Sequence, residues 1–215
     1  YNEKEVDELI FLDITASIEN REPNYKVISD IASECFMPLC YGGGISTMEQ
    51  VRKILGIGVE KVSFNQMAIK NPALITAAAK DFGSQAVVVS VDVKKNFWGK
   101  YEVVYKRGTK STGEHPVDFV KRMVSAGAGE ILLTAVDREG TWQGYDLELI
   151  KQVTAAVTIP VIVNGGAGNP ENLSQAAKEG KASGLALGSM VVYQKKGMGV
   201  LINFPPRIEL EKILI

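Results

Sequence analysis

The chain has 215 residues, 46% of them hydrophobic, with 24 basic and 25 acidic side chains and a formal net charge of −1. That is enough to bury one substantial core, and the balanced charge carries no electrostatic footprint of nucleic acid binding. No apolar run approaches the ~20 residues of a membrane span and no leader pattern is visible, so a single cytoplasmic domain over residues 1–215 is expected.

The opening YNEKEVDE reads as the end of a helix. Seven runs then read as buried parallel strands, because they are nearly continuous in aliphatic and β-branched residues instead of alternating. They are ELIFLDI (8–14), PLCYGG (38–43), KVSFNQ (61–66), AVVVSVDV (86–93), EILLTAV (130–136), PVIVNGG (160–166) and GLALGSM (184–190). Between them lie NYKVISDIASEC, TMEQVRKILGIG, NPALITAAAKDFG, PVDFVKRMVSAGAG and YDLELIKQVTAAV, with helical spacing of apolar residues and several terminal glycines. Strict βαβα order predicts an α/β fold of the (β/α)8 barrel class with an internal half-barrel repeat. Eight strands are required and seven are supplied, so the first strand and its loop are expected to be missing. Residues 95–116 read as an elaborated loop after the fifth barrel strand, with a hairpin through KYEVVYKRG.

A pattern recurs along the chain. Asp13 precedes Gly42 by 29 residues and Ser63 follows 21 later, while Asp137 precedes Gly165 by 28 and Ala186 follows 21 later. Glycines closing two strands, each before a helix start, suggest two phosphate cradles and hence a doubly phosphorylated ligand. Gly-Ser at 188 and 189 and Asn65-Gln66 would complete them. Asp92 ends the run VVVSV, which would hold its carboxylate at the barrel mouth as a general acid or base, with a loop cap as the alternative. Asp13 and Asp137 also end strands, but turn amides follow them, which makes them supporting residues. Glu8, Lys61 and Glu130 begin three strands and could converge as a ring of alternating sign at the opposite end, a plug or a gate.

Cys35 and Cys40 are too few and too close for a disulfide framework or a metal site and are expected to be buried thiols. The single His115 reads as a loop residue, and neither a metal nor a cofactor is expected. Trp98 and Trp142 suit either a substrate lid or simple loop packing.

Taken together, FLDITAS, GGGI, FGSQAVVV, GAGEILLT, DREGT, GYD and GGAG, spread from residue 5 to about 192, closely resemble the cyclase subunit of imidazole glycerol phosphate synthase. The resemblance implies a barrel that pairs with a glutaminase and receives ammonia through its interior. It joins that ammonia to a bisphosphorylated ribulosyl intermediate of histidine biosynthesis. It implies Asp92 as catalytic acid or base and Gly44, Asn65, Gly140, Gly166, Gly188 and Ser189 as phosphate and substrate contacts. It also implies Glu8, Lys61 and Glu130 as members of the ammonia gate and Glu60 as a position at the glutaminase interface. The second catalytic Asp and the gate Arg would fall in the missing segment.

Glu139, Gln66 and Asn164 depart from the usual cyclase, as does the tail VVYQKKGMGVLINFPPRIEL. These features resemble a paralogous group that supplies ammonia for amidination of surface-polysaccharide sugars. A non-catalytic ammonia-conducting scaffold that activates a glutaminase is the reading from another class. A sister sugar isomerase would explain the cradles but not the charged ring.

Overall fold

The computed structural model describes residues 2–193, 199, 200 and 202–214. Residues 194–198 and 201 of the unusual tail lie outside the described residues. Contacts divide the chain into two compact units, one of residues 1–90, 105–110 and 122–130 and the other of 91–104, 111–121 and 131–215.

The first unit opens on a short 3-10 turn, Asn2–Lys4. It then runs through β1 (Leu9–Leu12), α1 (Ala16–Glu19), α2 (Tyr25–Glu34), β2 (Leu39–Gly42), α3 (Met48–Gly56) and β3 (Lys61–Phe64). Next come α4 (Gln66–Lys70), α5 (Ala73–Phe82) and the start of β4 (Val87–Lys95). Parallel pairing places Leu9 opposite Leu39, Cys40 opposite Lys61 and Val62 opposite Val87. The helix starts follow from their side chains. Asn24 accepts from Val27 N–H at 3.2 Å, and Thr47 and Gln50 form a capping box, contacts worth about 1 kcal/mol each. Tyr41, Val62, Phe64, Ile28, Val51, Ile54 and Ile75 are almost fully buried, at about 1.5–3 kcal/mol for each large aliphatic side chain. Cys40 joins this core and burial pushes its thiol up, whereas Cys35 is only half-buried, against expectation.

The second unit takes the end of β4, then β5 (Tyr101–Tyr105), β6 (Lys110–Ser111), α6 (Pro116–Ala126), β7 (Glu130–Ala135) and α7 (Leu147–Thr154), though the unit boundaries cut β5, β6, α6 and β7. It finishes with β8 (Val161–Asn164), α8 (Pro170–Lys178), β9 (Gly184–Leu185), α9 (Ser189–Val192) and α10 (Arg207–Leu214). Here Ile131 stands opposite Val161 and Ile162 opposite Gly184, again parallel. Asp146 caps α7 through Leu149 N–H at 3.1 Å, Asn169 caps α8 with Pro170 in its first turn, and His115 Nδ1 accepts from Val117 N–H at the start of α6. Phe119, Leu132, Leu133, Leu149, Val153 and Val163 are buried.

All seven expected strands are present, most of them trimmed at the ends. KVSFNQ stops at Phe64 because Asn65 is already the N-cap of α4, and GLALGSM stops at Leu185 because α9 begins at Ser189. The hairpin expected through KYEVVYKRG is present, β5 pairing with β6, and a second one precedes it. β4 runs on to Lys95 and pairs antiparallel with β5, Asp92 facing Val104 and Lys95 facing Tyr101, with the turn of this second hairpin at 96–100. Its tip carries Phe97 and Trp98, 94% and 80% exposed, in an edge-to-face pair.

The repeat is real but its register differs from the expected one. Leu9 N–H donates to Pro38 O and Ile131 N–H to Pro160 O, each partner 122 residues on, and the ladders Leu9–Leu39 and Ile131–Val161 keep that offset. Glu8 therefore corresponds to Glu130 and Asp13 to Ala135, not to Asp137. Asp137 lies two residues beyond the strand end, where its carboxylate accepts from Lys95 N–H at 3.0 Å. Matching acids had outweighed matching backbone in the sequence pattern.

Candidate functional site

In the second unit a small open cleft is lined by Glu139, Gly140, Asn164, Gly166, Gly188 and Ser189, together with Gly165, Ala167 and Ala186. Four of the expected ligand contacts, Gly140, Gly166, Gly188 and Ser189, thus come together. The sequence forces this by removing side chains. Gly165 has φ +94° and an added Cβ would lie 2.6 Å from Ala135 O, while a Cβ on Gly166 (φ +104°) would strike Gly144 O. Gly144 N–H in turn donates to Gly166 O at 2.7 Å, which ties the loop down. Buried Tyr145 braces the floor by donating to Ala186 O at 3.0 Å, and burial pushes its phenol up.

Among the described residues that line the cleft, Glu139 is the one with an ionisable side chain. The residue is exposed, yet desolvation by the cleft wall raises its carboxyl above the usual value, with the Gly140 N–H pulling the other way. Two like charges about 4 Å apart repel by about 4 kcal/mol at the effective dielectric of a protein surface, and by less with water between them.

In the first unit the corresponding loop is Gly42-Gly43-Gly44. Gly43 (φ +126°) lies under Asp13 O, where a Cβ would clash, and Tyr41 donates to Gly43 O at 3.1 Å. Burial contributes most to raising Tyr41, to about 12. The Gly44 N–H, expected to be free, points to Ser17 Oγ at 3.4 Å. Asp13 is held by Arg21 through both carboxylate oxygens at 2.8 Å and accepts from Thr15 and Ala16 N–H groups. Burial alone would raise this carboxyl, but Arg21 and the two amides outweigh it and keep the group below the usual aspartate range. Asn65 donates to Ser90 O at 3.1 Å, and beside it Ser63 Oγ and Gln66 Oε1 are buried without a partner among the described residues.

The three strand-start charges meet. Lys61 Nζ lies 2.7 Å from Glu8 and 2.8 Å from Glu130, with side chains 22%, 27% and 14% exposed. Burial opposes the Lys61 charge, but hydrogen bonds to Glu130 and Glu8 win and hold its ammonium above the usual range. Glu60, next in the chain, accepts from Leu39 N–H at 2.7 Å. Asp92 stands on β4, partly buried, in register with Val104.

Arg21, Ser17 and Tyr145 were not anticipated. Arg21 carries a signal in hindsight, a cation eight residues after a strand-end acid in a short loop. Trp142 adopts φ +65° and its carbonyl packs on Gly168, which fits loop packing, whereas Trp98 is exposed at the hairpin tip beside Phe97.

The profile of the family described as "Histidine biosynthesis protein" matches residues 1–197. The chain belongs to this histidine biosynthesis family. Its relatives include proteins of Leptospira borgpetersenii and Pseudomonas aeruginosa named "Putative imidazole glycerol phosphate synthase subunit" HisF and hisF2. They are 47% identical over 206 residues and 46% over 205, covering 95% of this chain and 81% and 82% of theirs. An Alkaliphilus metalliredigens protein named "Imidazole glycerol phosphate synthase subunit HisF" is 47% identical over 195 residues, covering 91% of this chain and 77% of its own length. As a HisF-like member of the histidine biosynthesis family, the chain is an enzyme subunit of (β/α)8 barrel class. Among the described residues no helix is long and apolar enough to cross a membrane.

Proposed function

We propose that the chain is an ammonia-dependent cyclase-type lyase. It would convert a bisphosphorylated ribulosyl formimino-aminoimidazole carboxamide intermediate into imidazole glycerol phosphate and aminoimidazole carboxamide ribotide. The carrying observation is the duplicated strand-end geometry: Gly43 beneath Asp13 O and Gly165 beneath Ala135 O, with Asn65 and Gly188 as matching N-caps beyond the next strand. Two such loops suit a substrate with a phosphate at either end, bound by backbone rather than by lysine or arginine.

In this reading Gly44 and Asn65 hold one phosphate and Gly140, Gly166, Gly188 and Ser189 the other. Asp92 moves the proton as ring closure and bond cleavage proceed, a role for which general acid–base groups contribute about 10²–10⁴-fold. Asp13 and Asp137 support loops instead of reacting. Ammonia comes from a glutaminase partner that contacts Glu60, and passes the Glu8–Lys61–Glu130 trio, whose two ion pairs must part to let it through. No cofactor or metal enters the scheme.

The carboxylate of Glu139 in the second cleft favours a second reading, in which the acceptor is a sugar awaiting amidination and the phosphate requirement is relaxed. Turnover of the bisphosphorylated ribulosyl substrate with ammonium salt and no glutaminase decides between them. Product formation supports the cyclase. No turnover, with glutaminase activity still stimulated, supports the sugar pathway or a non-catalytic scaffold.

A further inference from the structure

The phosphate cleft of the second unit has an unusual electrostatic design. Among the described residues that line it there is neither lysine, arginine nor histidine, and the backbone of the glycine loops and Ser189 are the groups there that can attract an anion. Its single ionisable group has the wrong sign. Glu139 Oε1 lies 3.7 Å from the point where a Cβ on Gly188 would stand, so the carboxyl faces the same empty volume that an anion would fill. The neighbouring charges are engaged elsewhere. Arg138 Nη1 donates to Gln143 O at 3.4 Å, Asp137 is taken up by Lys95 N–H and, at 3.9 Å, Lys94, and the Tyr145 hydroxyl is spent on Ala186 O. Among the described residues none of these groups forms an ion pair with Glu139, on which only burial and the Gly140 N–H act.

We propose that Glu139 makes this cleft take up its anion together with a proton, so that the occupied cleft holds Glu139 as the neutral acid donating to an anion oxygen. The balance is simple: the empty site carries a carboxylate, and one solvent proton adds to it as the anion enters. No other bond changes. The raised position of this carboxyl means that part of the cost of protonation is already met before any ligand arrives. Glu139 thereby acts as a specificity residue. It favours ligands at the acid end of the physiological range, or ligands that bring their own hydrogen-bond donor beside the phosphate. This inference rests on the reading of the cleft as a phosphate site.

The test uses inorganic sulfate, which stays a dianion throughout, so any pH dependence belongs to the protein. Sulfate binding to the full-length protein is measured by calorimetry between about pH 5.5 and about pH 8, where few groups other than histidine ordinarily titrate. The wild type should lose affinity as pH rises across that range, by at most about tenfold for each pH unit, the limit set by uptake of one proton. Glu139→Gln should flatten the profile and bind more tightly than wild type at the alkaline end. His115→Gln, outside the cleft lining, should keep the slope. Sulfate binding that is independent of pH in the wild type, or a slope that survives in Glu139→Gln, overturns the role of Glu139 and leaves the phosphate site standing. Failure of the wild type to bind sulfate at any pH overturns both. The wild-type profile decides the matter even if a variant does not fold.

Discussion

The two glycine loops share a backbone and differ in everything attached to it. In the first unit the loop closes against Asp13, an acid locked to Arg21 and to the amides of its own turn. In the second the corresponding position is Ala135, and the acid is Glu139, four residues on and in the cleft. Beyond the next strand, Ser63, Asn65 and Gln66 of the first unit stand where Ala186, Gly188 and Ser189 stand in the second. Duplicated architecture therefore repeats the backbone of the loop, while the side chains around it differ; in the proposed reading the first sets where a ligand end is held and the second what that end must be. One loop is polar and internally satisfied on its acid; the other is stripped largely to backbone, with Glu139 making no ion pair among the described residues.

The largest effect should come from chemistry that neither loop supplies. Asp92→Asn should reduce cyclisation with external ammonia by about 10³-fold while leaving the melting temperature near wild type, and retained turnover would remove Asp92 from its role. Next, Gly43→Ala and Gly165→Ala each force a side chain into a left-handed turn against a carbonyl. Each should cost about 2–4 kcal/mol in a denaturant titration, and a loss confined to one of them would break the equivalence of the loops. Lys61→Met leaves two partly exposed carboxylates face to face and should cost about 2 kcal/mol, less than a fully buried pair. It should also uncouple glutamine hydrolysis from product formation.

The smallest effects sharpen the comparison most, because the two acids shift in opposite directions. Asp13 lies below its ordinary value, so its stabilisation is present above about pH 3.8 and is lost as pH falls through its folded value. Asp13→Asn should therefore lower the melting temperature at neutral pH, with the gap closing in strong acid. Glu139 lies above its ordinary value, so its folded-state advantage is full below about pH 4.5 and disappears as pH rises through the folded value. Glu139→Gln should raise the melting temperature slightly at alkaline pH and leave it unchanged near pH 4. Parallel pH profiles for the two variants would contradict the assignment.

Much of this was legible in the chain. Runs such as AVVVSVDV and EILLTAV have no alternative to burial, and the capping residues Thr47, Asp146 and Asn169 stand directly before helical periods. What escaped has physical causes. The continuation of β4 through Lys94 and Lys95 was hidden because both lysines, flanked by polar Asn96, look like a loop, yet an antiparallel edge tolerates charged side chains. The convergence of Glu8, Lys61 and Glu130 could be proposed because all three begin strands. The clamp of Arg21 on Asp13 could not, since its loop has no period to read. Glu139 drew notice only as a departure from a related pattern, and its place in the cleft lies in a loop with no period to read, beside Gly140 at φ +67°.

The offset between the copies is 122 residues from β1 through the N-caps of α3 and α8, but 123 from β3 and β9 onward, as Cys40 pairs with Lys61 and Ile162 with Gly184. The added residue falls in the turn after α8, where Lys181 takes a left-handed φ of +58°. Length can thus drift at such a corner while every ladder and cap keeps step, and a graft of the shorter 57–60 turn into that corner would relieve a strained lysine without moving either flanking element.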